Sequence, residues 1–173
     1  MNNLSNNFDL KTSSIVAKQL CKYTLGFTVP DEVVKCAVTL LENGIENQEI
    51  VEMAGLSNPR LNEIKDLFVK CINKFGLSIP SISDSTLYLA QLQALEILNG
   101  KISPYFGART IWTELSNIEG SHSSLSDFVG SASDYEEVFD EGAKQKCEKN
   151  IIEESKELLL LKCDHVLLSH SMF

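Results

Sequence analysis

Apolar residues recur along the chain at the three-to-four-residue spacing of amphipathic helices, and no stretch alternates with the period of a strand. The first run spans Ser13 to Leu25, with Ser13 at its N-cap, and the second spans Pro30 to Asn43, with Val34, Val38 and Leu41 on one face. A short third helix covers Glu46 to Ala54. Asn58 and Pro59 open a fourth, whose Leu61, Ile64, Phe68, Cys71, Ile72 and Phe75 make one stripe ending at Gly76. Ser83 caps a fifth helix that reaches Asn99. Its Leu87, Leu89, Ala90, Leu92, Ala94, Leu95, Ile97 and Leu98 are apolar nearly all round, the mark of a central, buried helix. Ser103 and Pro104 begin a sixth that runs through Trp112 to Leu115, and a polar loop, Asn117 to Ser124, leads to a brief helix at Leu125 to Ala132. The last long helix starts near Tyr135 or Asp140 and reaches Cys163.

The punctuation agrees with that pattern. Gly26, Gly44, Gly76 and Gly100 stand just past the ends of apolar runs, while Pro30, Pro59 and Pro104 stand where runs begin. Glycine adopts the left-handed backbone beyond a helix cheaply, and proline at a first helical position gives up no needed hydrogen bond. The expected fold is therefore all-α: a single compact domain of roughly seven or eight short helices around the central helix Ser83–Asn99. Residues 1–12 read as a frayed tail, 13–165 as the helical domain and 166–173 as a C-terminal tail. Within the domain, lobes 13–76 and 83–165 are joined by a Ser/Pro-rich linker.

Composition narrows the functional classes. A chain of 173 residues with 43% hydrophobic content can build its own core. Its longest apolar stretch, Leu158 to Leu161, falls far short of the roughly 20 residues that span a bilayer. The asparagine-rich start lacks the basic and apolar regions of a secretory signal, and the five cysteines are odd in number without any Cys-x-x-Cys pair. Both features suit reduced thiols and a cytoplasmic location. The net charge of −9 repels phosphate backbones and favours a basic partner.

Three segments carry candidate chemistry. The first, Glu49 to Lys65, contains Ala54-Gly55-Leu56-Ser57 and resembles the helix-turn-helix of bacterial transcription regulators. That resemblance implies a turn made possible by Gly55, a core plug at Leu56, and DNA-facing Arg60, Asn62 and Lys65, with Lys70 and Lys74 behind them. Against it, Ile45 to Gly76 holds five acids and four bases, so nucleic acid is an unlikely partner.

The second is Gly100-Lys-Ile-Ser-Pro-Tyr-Phe-Gly-Ala-Arg-Thr-Ile-Trp112. Loosely, over Leu87 to Leu159, it is similar to small bacterial proteins of mostly unknown function, some of which look like immunity proteins paired with toxins. The resemblance assigns no catalytic role. Here Gly107 and Ala108 permit close helix approach, Ile111 and Trp112 anchor the core, and Tyr105, Arg109 and Trp112 are the residue types that dominate binding hot spots.

The third is the acidic stretch Asp134 to Glu157, nine acids against four lysines. Asp134, Glu136, Glu137, Asp140 and Glu141 crowd around Tyr135 and Phe139, either as a solvated face or as a partner-binding surface that mimics phosphates. Catalytic and metal readings find little support. His165 and His170 are five apart, rather than the four that stacks two ligands on one helix face, and adjacent Cys163, Asp164 and His165 face different ways. His122 beside Ser123 lacks any accompanying nucleophile motif. The expected function is an acidic cytoplasmic binding protein of the immunity type, without cofactor or metal. It neutralises a basic partner, such as a nuclease toxin domain, by covering its active site. The alternative is a DNA-binding regulator using Glu49 to Lys65.

Overall fold

The computed structural model describes residues 10–165, 167 and 168, and all regular structure among them is helical. Eight α-helices are present among the described residues: α1 Leu10–Thr24, α2 Pro30–Glu42, α3 Gln48–Ala54, α4 Leu61–Phe75, α5 Ile82–Leu98, α6 Pro104–Thr110, α7 Ser126–Glu137 and α8 Glu141–Leu160. A π-helical turn, Ile111–Ser116, continues α6, and a 3-10 turn, Ser123–Leu125, precedes α7. The all-α architecture expected from the spacing is the one observed. No described helix is long and apolar enough to cross a membrane.

The four helix-terminal glycines behave alike. Gly26, Gly44, Gly76 and Gly100 all have φ between 64° and 76°, in the left-handed region. At Gly76 the amide of the next residue, Leu77, reaches back to the Ile72 carbonyl at 3.1 Å, and Gly76 itself donates to Asn73 O at 3.1 Å. This pair of bonds satisfies carbonyls that a helix end otherwise leaves open. Phe27, Ile45 and Lys101 make the equivalent bond to Lys22, Leu40 and Glu96.

Other boundaries differ from expectation. Helix α1 begins at Leu10, so Ser13 lies inside it rather than at its N-cap, and Thr12, placed in the expected tail, is buried in the helix. Residues 1–9 lie outside the described residues. Asn58 and Pro59 stand before α4, not within it: Asn58 takes a left-handed φ of 52°, and Arg60 is the capping residue, its amide donating to Glu63 Oε2 at 3.5 Å. Helix α5 starts one residue before Ser83. Of the two starts weighed for the last helix, Asp140 is the one used; its Oδ2 accepts from the Ala143 amide at 2.8 Å, and α8 ends at Leu160 rather than Cys163.

The chain divides into two compact units. One comprises the described residues up to Ser81 together with His165, Leu167 and Leu168; the other is Ile82–Asp164. In the first, α1 buries Val16, Ala17, Leu20 and Cys21, α3 buries Ile50 and Met53, and α4 buries Ile64, Phe68, Cys71 and Ile72. Helix α2 turns inward the face carrying Val33, Cys36, Ala37 and Leu40, while Val38, expected inside, is exposed. His165 is held here by Ser78, whose Oγ and carbonyl lie 2.8 and 2.9 Å from its Nε2. Leu167 and Leu168 are buried, which the reading of 166–173 as a tail did not anticipate; the remaining residues of that segment, His170 included, are not among those described.

In the second unit α5 is the central element. Tyr88, Leu87, Ala90 and Ala94 are fully enclosed, with Ile111, Leu125, Phe128 and Ile151 from the surrounding elements. The buried polar residues of α5 secure neighbouring segments. Thr86 Oγ1 accepts from the His122 amide at 3.0 Å, and Gln91 Nε2 donates to the carbonyls of Leu158 at 2.9 Å and Leu161 at 2.8 Å, closing the C-terminal end of α8. None of the five cysteines is in a disulfide, and burial pushes Cys36 and Cys163 up to about 12 and Cys71 to about 11, which keeps these thiols protonated and unreactive.

Candidate functional site

Charge is concentrated in one of the units. Ile82–Asp164 holds 15 acidic against 7 basic residues, so it carries −8 of the chain's −9. The segments singled out in sequence as a hot spot and as an acidic surface both belong to this unit, and the structure joins them.

Ser103 caps α6 through its Oγ, which accepts from the Phe106 amide at 3.3 Å, with Pro104 at the first helical position. That start fixes the facing of Tyr105 and Arg109, four residues apart on one side of the helix. Helix α7 brings Tyr135 and Glu136 against them. The rings of Tyr105 and Tyr135 stack with centroids 4.4 Å apart and planes 16° from parallel. Tyr105 Oη donates to Glu136 Oε1 at 2.6 Å, and Arg109 Nε approaches the same oxygen at 3.3 Å. The hydrogen bond to the Glu136 carboxylate holds the Tyr105 hydroxyl above its ordinary pKa, with a smaller contribution from burial. Lys144 sits 5.7 Å from the Tyr135 ring centroid and 3.5 Å from Glu141.

The exposed ion pair itself adds little stability, on the order of 0–1 kcal/mol. Its consequence is positional. Two tyrosines and an arginine are held in place at the surface, so little side-chain freedom remains to be lost on docking. Phe106 (62% exposed) and Phe139 (93% exposed) flank this cluster in sequence and leave apolar surface open.

The remaining expected residues divide by role. Asp134 and Glu137 are exposed, and Glu141 is exposed beside Lys144. Asp140 is committed to capping α8. Trp112 does not extend the Tyr105–Arg109 face: the backbone widens into a π-helical turn from Ile111, which breaks the α-helical register, and the indole is partly buried.

At the helix-turn-helix-like segment, Gly55 has an ordinary helical φ of −84°, and an added Cβ would meet nothing closer than 3.5 Å, so the turn does not require glycine. Leu56 is only partly buried, lining a surface groove with Val51, Glu52, Glu63, Asp66 and Leu67. Three carboxylates make that groove anionic, and a phosphate backbone is repelled by it. Arg60 and Asn62 are exposed and Lys65 is partly buried. Lys74 is paired with Glu49 at 2.7 Å, and Lys65 and Lys70, five residues apart, point about 140° away from each other around α4. The basic residues of α4 therefore do not combine into one patch.

A second feature of the acidic unit was missed in sequence. Helices α7 and α8 pack together, and a cavity of about 120 Å³ opens along them, lined by Asp127, Phe128, Glu154, Glu157, Leu158 and Leu161 among others. Glu154 is bonded through Oε1 to the Ser131 hydroxyl, while its Oε2 is buried without a donor. Burial raises its pKa, opposed by the Ser131 bond and reinforced by the charges of Asp127, Glu157 and Asp134. The signal in the sequence was the pair of helical spacings Asp127/Ser131/Asp134 and Glu154/Glu157, each of which keeps its residues on one side of its own helix; that the two sides face each other is decided by packing.

A raised carboxyl pKa has a defined sign. The folded protein binds this proton more tightly than the unfolded chain, so the stabilisation is present below the unfolded carboxylate value and is lost as pH rises through the folded one. Glu154→Gln keeps an acceptor for Ser131 and carries no charge at any pH. It is expected to melt above the unmodified protein at about pH 8, with the gap closing towards about pH 4, as calorimetric scans across that range would read. A pH-independent gap would mean that the carboxylate charge is not its source.

Comparison with protein-family models, with curated proteins and with solved structures finds no match to this chain.

Proposed function

We propose that this protein is a binding protein of the immunity type, acting in the cytoplasm, whose acidic unit docks onto a basic protein partner, such as a nuclease toxin domain, and covers its active site. The observation that carries the reading is the preorganised surface cluster of Tyr105, Arg109, Tyr135 and Glu136, with exposed Phe106 and Phe139 close by in sequence, set in a unit of charge −8. Aromatic and arginine anchors dominate protein interfaces, and a surrounding field of one sign accelerates encounter with a partner of the other. Rigid anchors and long-range attraction together suit a tight-binding inhibitor.

The test is affinity capture of a basic partner followed by measured binding to two variants. Phe106→Ser with Phe139→Ser removes the apolar anchors, and Asp134→Lys, Glu137→Lys and Glu141→Lys reverse local charge without touching the Asp140 cap or the Glu136 bonds. Each set is expected to weaken binding by roughly 100-fold, the charge reversals chiefly through the association rate. Unchanged affinity in both sets would overturn the assignment, as would retention of duplex DNA by the purified chain at low salt.

A further inference from the structure

The α7–α8 cavity has the composition of a receptor for one particular kind of side chain. Its inner wall is apolar, from Phe128, Leu158 and Leu161, and its carboxylates come from three positions, Asp127, Glu154 and Glu157. One of those carboxylates has an oxygen, Glu154 Oε2, that is buried and lacks any donor. Such an atom is costly to leave unpaired, and a donor that reached it would recover that cost. A lysine or arginine presents both features in order: a run of methylenes that prefers apolar contact and a cationic head that carries only donors. The volume of about 120 Å³ accepts one such side chain, and it lies well below the roughly 300 Å³ at which small-molecule sites begin. Among the described residues no three His, Cys, Asp or Glu are placed to hold a metal ion, so the carboxylates suit an organic cation better than a bare one.

We infer that this cavity is a socket for a lysine or arginine side chain of the basic partner, a second anchor point beyond the tyrosine cluster. The inference rests on the proposed docking function for its biological setting, but its chemistry is testable without any partner. The protein's backbone amides, followed by NMR, are titrated with Nα-acetyl-lysine amide, Nα-acetyl-arginine amide and Nα-acetyl-norleucine amide, the last matching the stem without the charge.

Saturable shifts confined to α7 and α8 around Asp127 and Glu154, given by the lysine or arginine probe and not by norleucine, are expected. The stronger of the two cationic probes identifies the preferred residue. Asp127→Asn with Glu154→Gln is expected to weaken that binding roughly tenfold or more, whereas Glu148→Gln with Glu153→Gln, an equal loss of charge on α8 away from the cavity lining, changes it less than about twofold. Should the double variant lose its dispersed spectrum, Asp127→Asn alone, at an exposed position, carries the comparison. Shifts spread over the whole acidic surface, an equal response to norleucine, or equal weakening by Glu148→Gln with Glu153→Gln would each overturn the socket. These results leave the tyrosine-cluster reading intact, whereas a partner whose affinity is unchanged in both the phenylalanine and the charge-reversal sets overturns that reading and leaves the socket standing.

Discussion

Gln91→Leu is expected to lower the unfolding free energy by about 1–3 kcal/mol, seen as a shifted urea midpoint with an unchanged slope. Gln91 is only 2% exposed, and its side-chain amide donates to two carbonyls, Leu158 O and Leu161 O, while its Oε1 accepts from Cys163 Sγ at 3.8 Å. The assignment of nitrogen and oxygen is forced, because the flipped amide would set its oxygen against both carbonyls. Leucine preserves the volume and much of the packing but leaves the carbonyls of Leu158 and Leu161 without this donor. The Leu158 carbonyl keeps the Leu161 amide at 3.2 Å, so the Leu161 carbonyl is the group that loses its donor, at a cost on the order of 1–3 kcal/mol, and the added apolar contact returns part of it. Hydrogen exchange should accelerate first in the last turn of α8. A loss under about 0.5 kcal/mol would mean that other donors replace the glutamine.

Gly107→Ala is expected to destabilise by about 2 kcal/mol, although the same change in an open helix stabilises by up to about 1 kcal/mol. A Cβ at this position would lie 2.4 Å from Ile97 Cγ1 and 2.5 Å from its Cδ1, with Ile102 Cδ1 at 3.0 Å. Ile97 is buried, so its side chain cannot swing into solvent, and α6 must move away from α5 instead. Because Gly107 lies between Tyr105 and Arg109, that movement also disturbs the stacked tyrosines and the Glu136 bonds. Introduced together with Ile97→Ala, which removes the obstructing atoms, Gly107→Ala should become neutral or mildly stabilising. Double-mutant analysis by denaturant unfolding measures that coupling, and additive effects would exclude the clash as the cause.

How legible each element was depended on how far apart its determinants lie. The ends of α1, α2, α4 and α5 were marked by single residues, because a glycine just past a helix acts within one turn. The Ser103–Pro104 start of α6 was legible for the same reason. The inward face of α2 was not. Val33, Val34, Cys36, Ala37, Val38, Leu40 and Leu41 surround most of that helix with apolar groups, so periodicity selects no direction, and the neighbouring helices decide it. Helix α1 extended past Ser13 because tertiary burial of Thr12 and Ser13 outweighs their weak helical preference. At the candidate site the residue types were recognisable individually. Their pairing was not, since Tyr105 and Glu136 are 31 positions apart and Ser131 and Glu154 are 23 apart.

The sequence by itself determined that the fold is all-α, where most of its helices stop, and that its surface carries a large excess of negative charge. Those properties follow from local steric preference, short-range periodicity and composition. Only the tertiary structure decided that Tyr105 and Arg109 share one carboxylate with Tyr135 at hand, that Gln91 closes a helix 67 residues away, and that Asp127, Glu154 and Glu157 converge on one cavity. Contacts between distant segments depend on which faces pack together, and many packings satisfy the same apolar pattern. The one adopted is set by volume, close approach at Gly107 and the pairing of buried polar atoms.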